Sequence, residues 1–203
     1  MLMSGTLGDV NPRIAHTMPI LMANVDHIAL LVEQILDAAR VEDHRLSLRL
    51  EQADLRDVAE ECTASAAAFI GAGQRLRLQL PDQAVTVLGD RVRLAAILGN
   101  LLDNAIKYSP DGGQIGIELS SDRSGASIRV SDPGLGIAKE HLEKVFKRFG
   151  RVVTAANSHI DGAGVGLYLS RQMARMHGGD VELASELGVG TDAVLWLPLY
   201  SPR

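Results

Sequence analysis

DRVRLAAILGNLLDNAIKY at residues 90–108, followed by SPDGGQIGIELSSDRSGASIRVSDPGLG at 109–136, carries the pattern on which the fold turns. Asp90 stands ahead of an apolar-periodic run, the position of a helix N-cap. Leu94, Leu98, Leu101, Leu102 and Ala105 then fall on one side of a helix that reaches Tyr108. Pro110-Asp111-Gly112-Gly113 reads as a turn. Two short strands follow, Gln114–Leu119 and Ala126–Val130, split by a polar turn as in a hairpin.

The same unit, a helix and then a pair of strands, appears on both sides. Upstream, Asp54 caps a predicted helix to about Ile70, ended by Gly71 and Gly73; alternating Arg75–Leu80 and Val85–Leu88 follow. Downstream, a short helix covers about Lys139–Phe146 and an aperiodic loop runs from Gly150 to Gly162. A helix then spans about Gly164–Met176, and the strands Val181–Ser185 and Ala193–Leu199 close the chain. Strands in adjacent pairs with helices between the pairs predict an α+β fold, a two-layer α/β sandwich with a mixed, largely antiparallel sheet. Strict strand–helix alternation, as in a Rossmann sheet, is absent. Near the N-terminus Val25, Ile28, Val32, Ile35 and Ala39 recur at three and four, a narrow seam suited to pairing with another helix. Arg45–Leu50 alternates strictly and reads as extended.

Composition narrows the function classes. The chain has 203 residues, 46% apolar and 22% charged, which is ordinary for a globular protein, with a net charge of −5 that argues against nucleic-acid binding. The apolar runs Ile28–Val32 and Leu94–Leu98 fall far short of the ~18 residues a membrane span needs. The first residues carry no secretory-signal pattern, and a single cysteine, Cys62, cannot form an internal disulfide. These features read as a cytosolic segment without membrane contact.

Three stretches carry chemistry. On the 90–108 helix, Asn100, Asn104, Lys107 and Tyr108 fall within a ~100° arc. Amide oxygens there suit a hard cation such as Mg²⁺, which is held by few protein groups plus phosphate oxygens and water. A merely solvated polar face is the plain alternative. Asp132-Pro133-Gly134-Leu135-Gly136 follows a strand; its carboxylate can accept from a base amine while the glycines allow close backbone approach, although turns produce such runs too. Gly162-Ala163-Gly164-Val165-Gly166-Leu167 feeds a helix N-terminus, where free N–H groups favour phosphate; a plain hinge is the alternative.

Taken together and in order, these stretches resemble the boxes of sensor histidine kinases, within the wider family of GHKL ATPases. Asn100 to Tyr108 resembles the N box, Asp132-x-Gly134-x-Gly136-Ile137 the G1 box, and Val145 to Arg151 the F box. Gly162-x-Gly164-x-Gly166-Leu167 resembles the G2 box, continued by a helix ending at His177-Gly178-Gly179, and Gly188-x-Gly190-Thr191 also fits. The resemblance implies ATP and Mg²⁺ as ligands. It implies that Asn104 binds the metal, with Asn100 helping to place metal and phosphates, that Lys107 touches the phosphates, and that Tyr108 packs on the nucleotide. Asp132 would accept the adenine amine, with Gly136, Ile137 and Thr191 lining the base pocket beside Gly134. Residues 149–163 would form the ATP lid, hinged at Gly162, Gly164 and Gly166, with Leu167 starting the next helix. Arg148 or Arg151 would neutralise charge on the γ-phosphate.

Asn100 separates branches of the superfamily. The gyrase, chaperone and mismatch-repair branches carry a glutamate there, a general base for water. An amide has no such basicity. The reading is therefore phosphoryl transfer to a histidine, which brings its own nucleophile. The H box that holds the family's acceptor histidine, His-Glu-x-x-Thr-Pro, does not occur in this sequence, and His16 in His-Thr-Met-Pro has proline at the wrong offset. Residues 1–42 resemble the end of helix one, the loop and helix two of the dimerising hairpin, 43–53 a linker, and 54–203 the ATP-binding domain. The expected partners are a second copy in the full-length kinase, a domain carrying the acceptor histidine, and a response regulator. The rival reading is an anti-sigma-factor-type serine kinase of the same fold.

Overall fold

The computed structural model describes residues 18, 32, 35–41, 46–158, 160 and 162–201. Its elements are β1 (Glu51–Asp54), α1 (Leu55–Ala66), β2 (Gln74–Gln79), β3 (Thr86–Gly89), α2 (Arg91–Lys107), β4 (Gly113–Ser121) and β5 (Ala126–Asp132). A 3₁₀ turn (Lys139–His141) leads into the single-turn α3 (Leu142–Val145), followed by α4 (Gly166–Met176), β6 (Asp180–Glu186) and β7 (Gly190–Leu197). From residue 54 onward this is the predicted order.

Both predicted caps are made. Asp54 Oδ1 accepts the Arg56 N–H at 2.9 Å, and Asp90 Oδ1 accepts from Val92 and Arg93 at 3.1 and 3.2 Å. The helix read as running to Ile70 stops at Ala66, where residues 67–69 tighten into a turn: Phe69 is 76% exposed and has no core surface to extend over.

The sheet is mixed and largely antiparallel, as expected, in the order β2-β4-β5-β7-β6; only β2–β4 is a parallel pair. β3 does not join it. It pairs antiparallel with β1, which lies at the end of the span read as a linker. Sheet alternation places Ile115, Ile117 and Leu119 of β4, Ile128 and Val130 of β5, and Leu195 and Leu197 of β7 on one buried face. Against it sit Leu94, Ile97, Leu98, Leu101 and Leu102 of α2, each at most 1% exposed. α2 also packs against α1 and α4, so it is the element least free to move, and its polar stripe is correspondingly fixed in place.

One buried histidine ties this layer together. Nε2 of His177 lies 3.0 Å from the Asp90 N–H and must accept from it, so Nδ1 carries the proton and donates to the Met173 carbonyl at 2.7 Å. The neutral ring thereby joins the C-terminal end of α4 to the N-cap of α2.

Residues 35–41 are helical. Ala38 is buried against the domain, and Asp37 pairs with Arg40 and with Arg93 at the start of α2. Of the predicted apolar seam, Val32 and Ile35 are exposed, whereas Val25 and Ile28 lie outside the described residues. So do His16, His27, His44 and most of the hairpin read over 1–42. Among the described residues no helix is long and apolar enough to cross a membrane. Cys62 is half-buried and close to the Ala95 carbonyl, and burial pushes its thiol up to about 11, which leaves it unreactive near neutral pH.

Candidate functional site

The site is assembled at the C-terminal half of α2. Asn100 Nδ2 donates to Ser170 Oγ of α4 at 2.9 Å, and a Cβ built on Gly166 would lie 2.2 Å from Asn100 Oδ1. The residues read as N and G2 boxes, 66 positions apart in the chain, therefore touch, and a side chain at position 166 would displace the Asn100 amide. Asn104 is half-buried one turn further on. Lys107 is on the helix surface, where Nζ pairs with Asp103 Oδ2 at 2.7 Å. Among the described residues no cluster of three or more His, Cys, Asp or Glu side chains could hold a metal by itself.

The turn after β5 closes onto the end of α2. Gly134 N–H donates to Asp132 Oδ1 at 2.9 Å, and the Leu135 N–H donates to the Tyr108 carbonyl at 2.9 Å. A Cβ on Gly134 would be 2.1 Å from that carbonyl oxygen. Gly136 has a positive φ of 63° and sits against the tip of the β6–β7 hairpin, where its Cβ would be 1.9 Å from the Glu186 carbonyl oxygen. The Ile137 N–H donates to Ser185 Oγ (2.8 Å), which lies 2.8 Å from Thr191 Oγ1. This hydroxyl pair brings Thr191 alongside the Asp132 turn, because Asp132 and Thr191 are ladder partners.

Burial pushes the Asp132 carboxyl up to about 6; the Gly134 N–H, the Ser109 hydroxyl and the Thr191 main chain oppose it, and Asp192 adds to it. A half-buried carboxylate held off its ordinary value among closely packed glycine backbone is the kind of group that clusters at functional sites. A cleft of about 370 Å³ opens beside it, lined by Asp132, Ser185 and Thr191 together with Ala184, Glu186 and Asp192. By strand alternation the last three face the side of the sheet away from the helices, so the cleft overlaps this chemistry only at its first three residues.

The aperiodic stretch after α3 forms the rim. Phe146 packs on the core under the Arg171 guanidinium, 4.4 Å from the ring centroid, and Arg171 is held in turn by Asp180 at 2.9 Å. Phe149 adopts φ 59°, uncommon for a residue with a side chain, and Arg148 lies 5.0 Å over its ring. Arg151 donates to the carbonyls of Ile160 and Gly162, the latter at 3.0 Å, so it spans the base of the predicted lid. Gly164 needs its positive φ of 67° to pass between Arg151 and Phe149.

Three residues that sequence reasoning passed over shape the site: Ser170, Ser185 and Gln74. Gln74 is buried and fully used. Its Oε1 accepts from Gly71 N–H at 2.7 Å, and Nε2 donates to the carbonyls of Ile106 and Ser109 at 2.8 and 2.9 Å. It thus pins the end of α2 that bears Lys107 and Tyr108. A lone glutamine opening an alternating strand offers no signal of this in sequence. Gln74→Leu strands the Gly71 N–H and takes one of two donors from each carbonyl, and is expected to cost about 1–3 kcal/mol, read as a lower urea midpoint at unchanged m-value.

Residues 89–201 match the model of the histidine kinase-, DNA gyrase B- and HSP90-like ATPases, and the chain belongs to that family. More particularly, it is 33% identical over 180 residues to the sensor protein kinase PmrB of Pseudomonas aeruginosa, covering 88% of this chain and 37% of that protein. It is 39% identical over 121 residues to the sensor histidine kinase WalK of Bacillus subtilis, covering 59% of this chain and 20% of that protein. Full-length ShkA, solved in complex with AMPPNP, superposes with a TM-score of 0.77 at 26% identity, over 100% of this chain and 42% of that one. The chain spans well under half the length of each of these proteins.

Proposed function

We propose that the chain is the ATP-binding catalytic portion of a two-component sensor histidine kinase. The observation that carries this reading is the convergence on one end of α2 of Asn100 and Asn104, the Asp132 turn and the Gly162–Gly166 loop. These residues suit a purine nucleotide: a half-buried carboxylate, glycines that let backbone segments close in around it, and amides in place of a carboxylate cage. Asp132 would take the exocyclic amine, with Gly136, Ile137 and Thr191 around the base. Asn104, aided by Asn100, would hold Mg²⁺ together with phosphate oxygens, a magnesium ion supplying charge neutralisation for phosphoryl transfer. Lys107 would leave Asp103 for the phosphates. Arg148 or Arg151 would neutralise γ-phosphate charge.

Asn100 bears on the acceptor. It donates to Ser170 and cannot take a proton from water, so the nucleophile must come from elsewhere. A histidine nitrogen would form the new N–P bond while the γ-phosphorus bond to ADP breaks, and the phosphoryl group would then pass to an aspartate of a response regulator. A second copy of the full-length kinase and a domain bearing the acceptor histidine complete the set of partners. The named relatives, all sensor kinases, support this reading over the serine-kinase one.

The test combines the chain with labelled Mg·ATP and a separate helical domain carrying a candidate histidine. Acid-labile label on that domain and none on the chain is expected; alkali-labile phosphoserine, or label on the chain alone, would overturn the proposal. Hydrolysis by the wild type is expected to be very slow. Asn100→Glu supplies a base and should raise it, measured as phosphate release; rapid hydrolysis by the wild type counts against a kinase.

A further inference from the structure

Ser109 follows Tyr108 at the exit of α2 and is 1% exposed. Its main chain is fully engaged: the carbonyl accepts from Gln74 Nε2 at 2.9 Å and from the Gly112 N–H at 3.1 Å, and its own N–H reaches the Ile106 carbonyl at 3.4 Å. Its hydroxyl is different. Buried from solvent, it has the Asp132 carboxylate as its neighbour and meets no other hydrogen-bond partner among the described residues. A buried hydroxyl left with a single neighbour of this kind calls for a reason.

The reason lies across Gly134. A Cβ built there would be 2.7 Å from the carbonyl carbon of Tyr108, the atom bonded to the Ser109 nitrogen, and 2.8 Å from Asp132 Oδ1. Residue 109 and the carboxylate are therefore neighbours, separated by a position that only glycine can fill. We propose that Ser109 is a positioning residue for nucleotide recognition, its hydroxyl donating to the Asp132 carboxylate and fixing the direction of the carboxylate oxygen that meets the exocyclic amine of the purine. The inference rests on the reading of Asp132 as the group that recognises the base.

The electrostatic surroundings agree. The hydroxyl favours the charged carboxylate against burial, which disfavours it. The charged group acting on Asp132 is Asp192 of β7, and Glu186 of β6 lines the adjoining cleft. From the segment just after α2 the Tyr108 carbonyl and the Ser109 hydroxyl face the turn, and neither is charged. Ser109 is thus the neutral donor that works against burial and the Asp192 charge.

The experiment titrates the whole chain with Mg·ATP, and with the triphosphate of purine riboside, which lacks the amine, from pH 5 to 8.5. Ser109→Ala is expected to weaken ATP binding ~3–10-fold at pH 7. It should also move the acidic midpoint of ATP affinity up by ~0.5 or more, and leave the amine-free analogue within twofold. Equal losses for the two nucleotides, or an unmoved midpoint, overturn the proposal. Asp132→Asn serves as the control: if it leaves the preference for ATP over the analogue intact, the reading of the base site fails. If that preference collapses while Ser109→Ala changes nothing, only the role of Ser109 fails.

Discussion

Asp132→Asn is expected to weaken ATP binding ~30–150-fold at pH 7.5 while making the protein more stable. The loss follows from geometry. One carboxylate oxygen is committed to the Gly134 N–H at 2.9 Å. An asparagine can keep that bond only by turning its NH₂ toward the place of the other oxygen, where it would oppose an exocyclic amine donor to donor. A charge-assisted hydrogen bond is exchanged for a repulsive contact, about 2–3 kcal/mol. The gain in stability comes from the same burial. With its carboxyl pushed up to about 6, Asp132 binds its proton more tightly in the folded than in the unfolded chain. The fold therefore loses stability as pH rises between about 4 and 6 and carries the whole penalty above that window. Asparagine removes it. After discounting for the solvent that still reaches the group, the gain is about 1 kcal/mol, or ~2–4 °C in Tm at pH 7.5, vanishing at pH 4. Calorimetry at the two pH values checks the stability half and nucleotide titration the binding half. A variant that binds ATP normally would remove Asp132 from the site. Wild-type affinity should also fall as pH drops through about 6, as the carboxylate becomes protonated.

Gly136→Ala should damage fold and site together. The residue holds φ 63°, and a methyl group there would meet the Glu186 carbonyl oxygen at 1.9 Å, a backbone atom that cannot swing aside as a side chain would. The left-handed conformation costs alanine ~1–2 kcal/mol, and displacing the β6–β7 hairpin brings the total to about 3–5 kcal/mol, close to 10 °C in Tm. The hairpin is held to this turn by the Gly188 N–H, which donates to the Leu135 carbonyl at 2.8 Å, so moving it also draws Thr191 away from Asp132. ATP affinity should fall beyond measurement. Gly188→Ala is the control. Its φ is 79°, but open space surrounds the missing Cβ, so it should cost only the conformational term and leave binding intact. Equal effects of the two substitutions would show that backbone conformation, and not the close approach to Glu186, governs position 136.

The regular elements were legible in sequence because each signal was local. Asp54 and Asp90 announced the helices they cap, and the period-two runs of β4, β5 and β7 announced a half-buried sheet. The N, G1 and G2 stretches each had a plain alternative when taken singly, and only their order and separation, as a resemblance to a known family, singled them out. What sequence left open was long-range. β3 was read beside β2 and is found on β1, because strand pairing depends on which edge lies nearest in the folded chain.

Sequence alone therefore determined which residues were available for nucleotide chemistry and on which kind of element each would stand, since caps, periodicity and turn residues act within a few positions. Only the tertiary structure decided that Asn100 touches Gly166 and Ser170, that Gln74 pins the end of α2, that His177 must be neutral, and that Ser109 faces Asp132. Those contacts join residues distant along the chain, and packing the helices onto one face of a twisted sheet is what brings them within ångströms of one another.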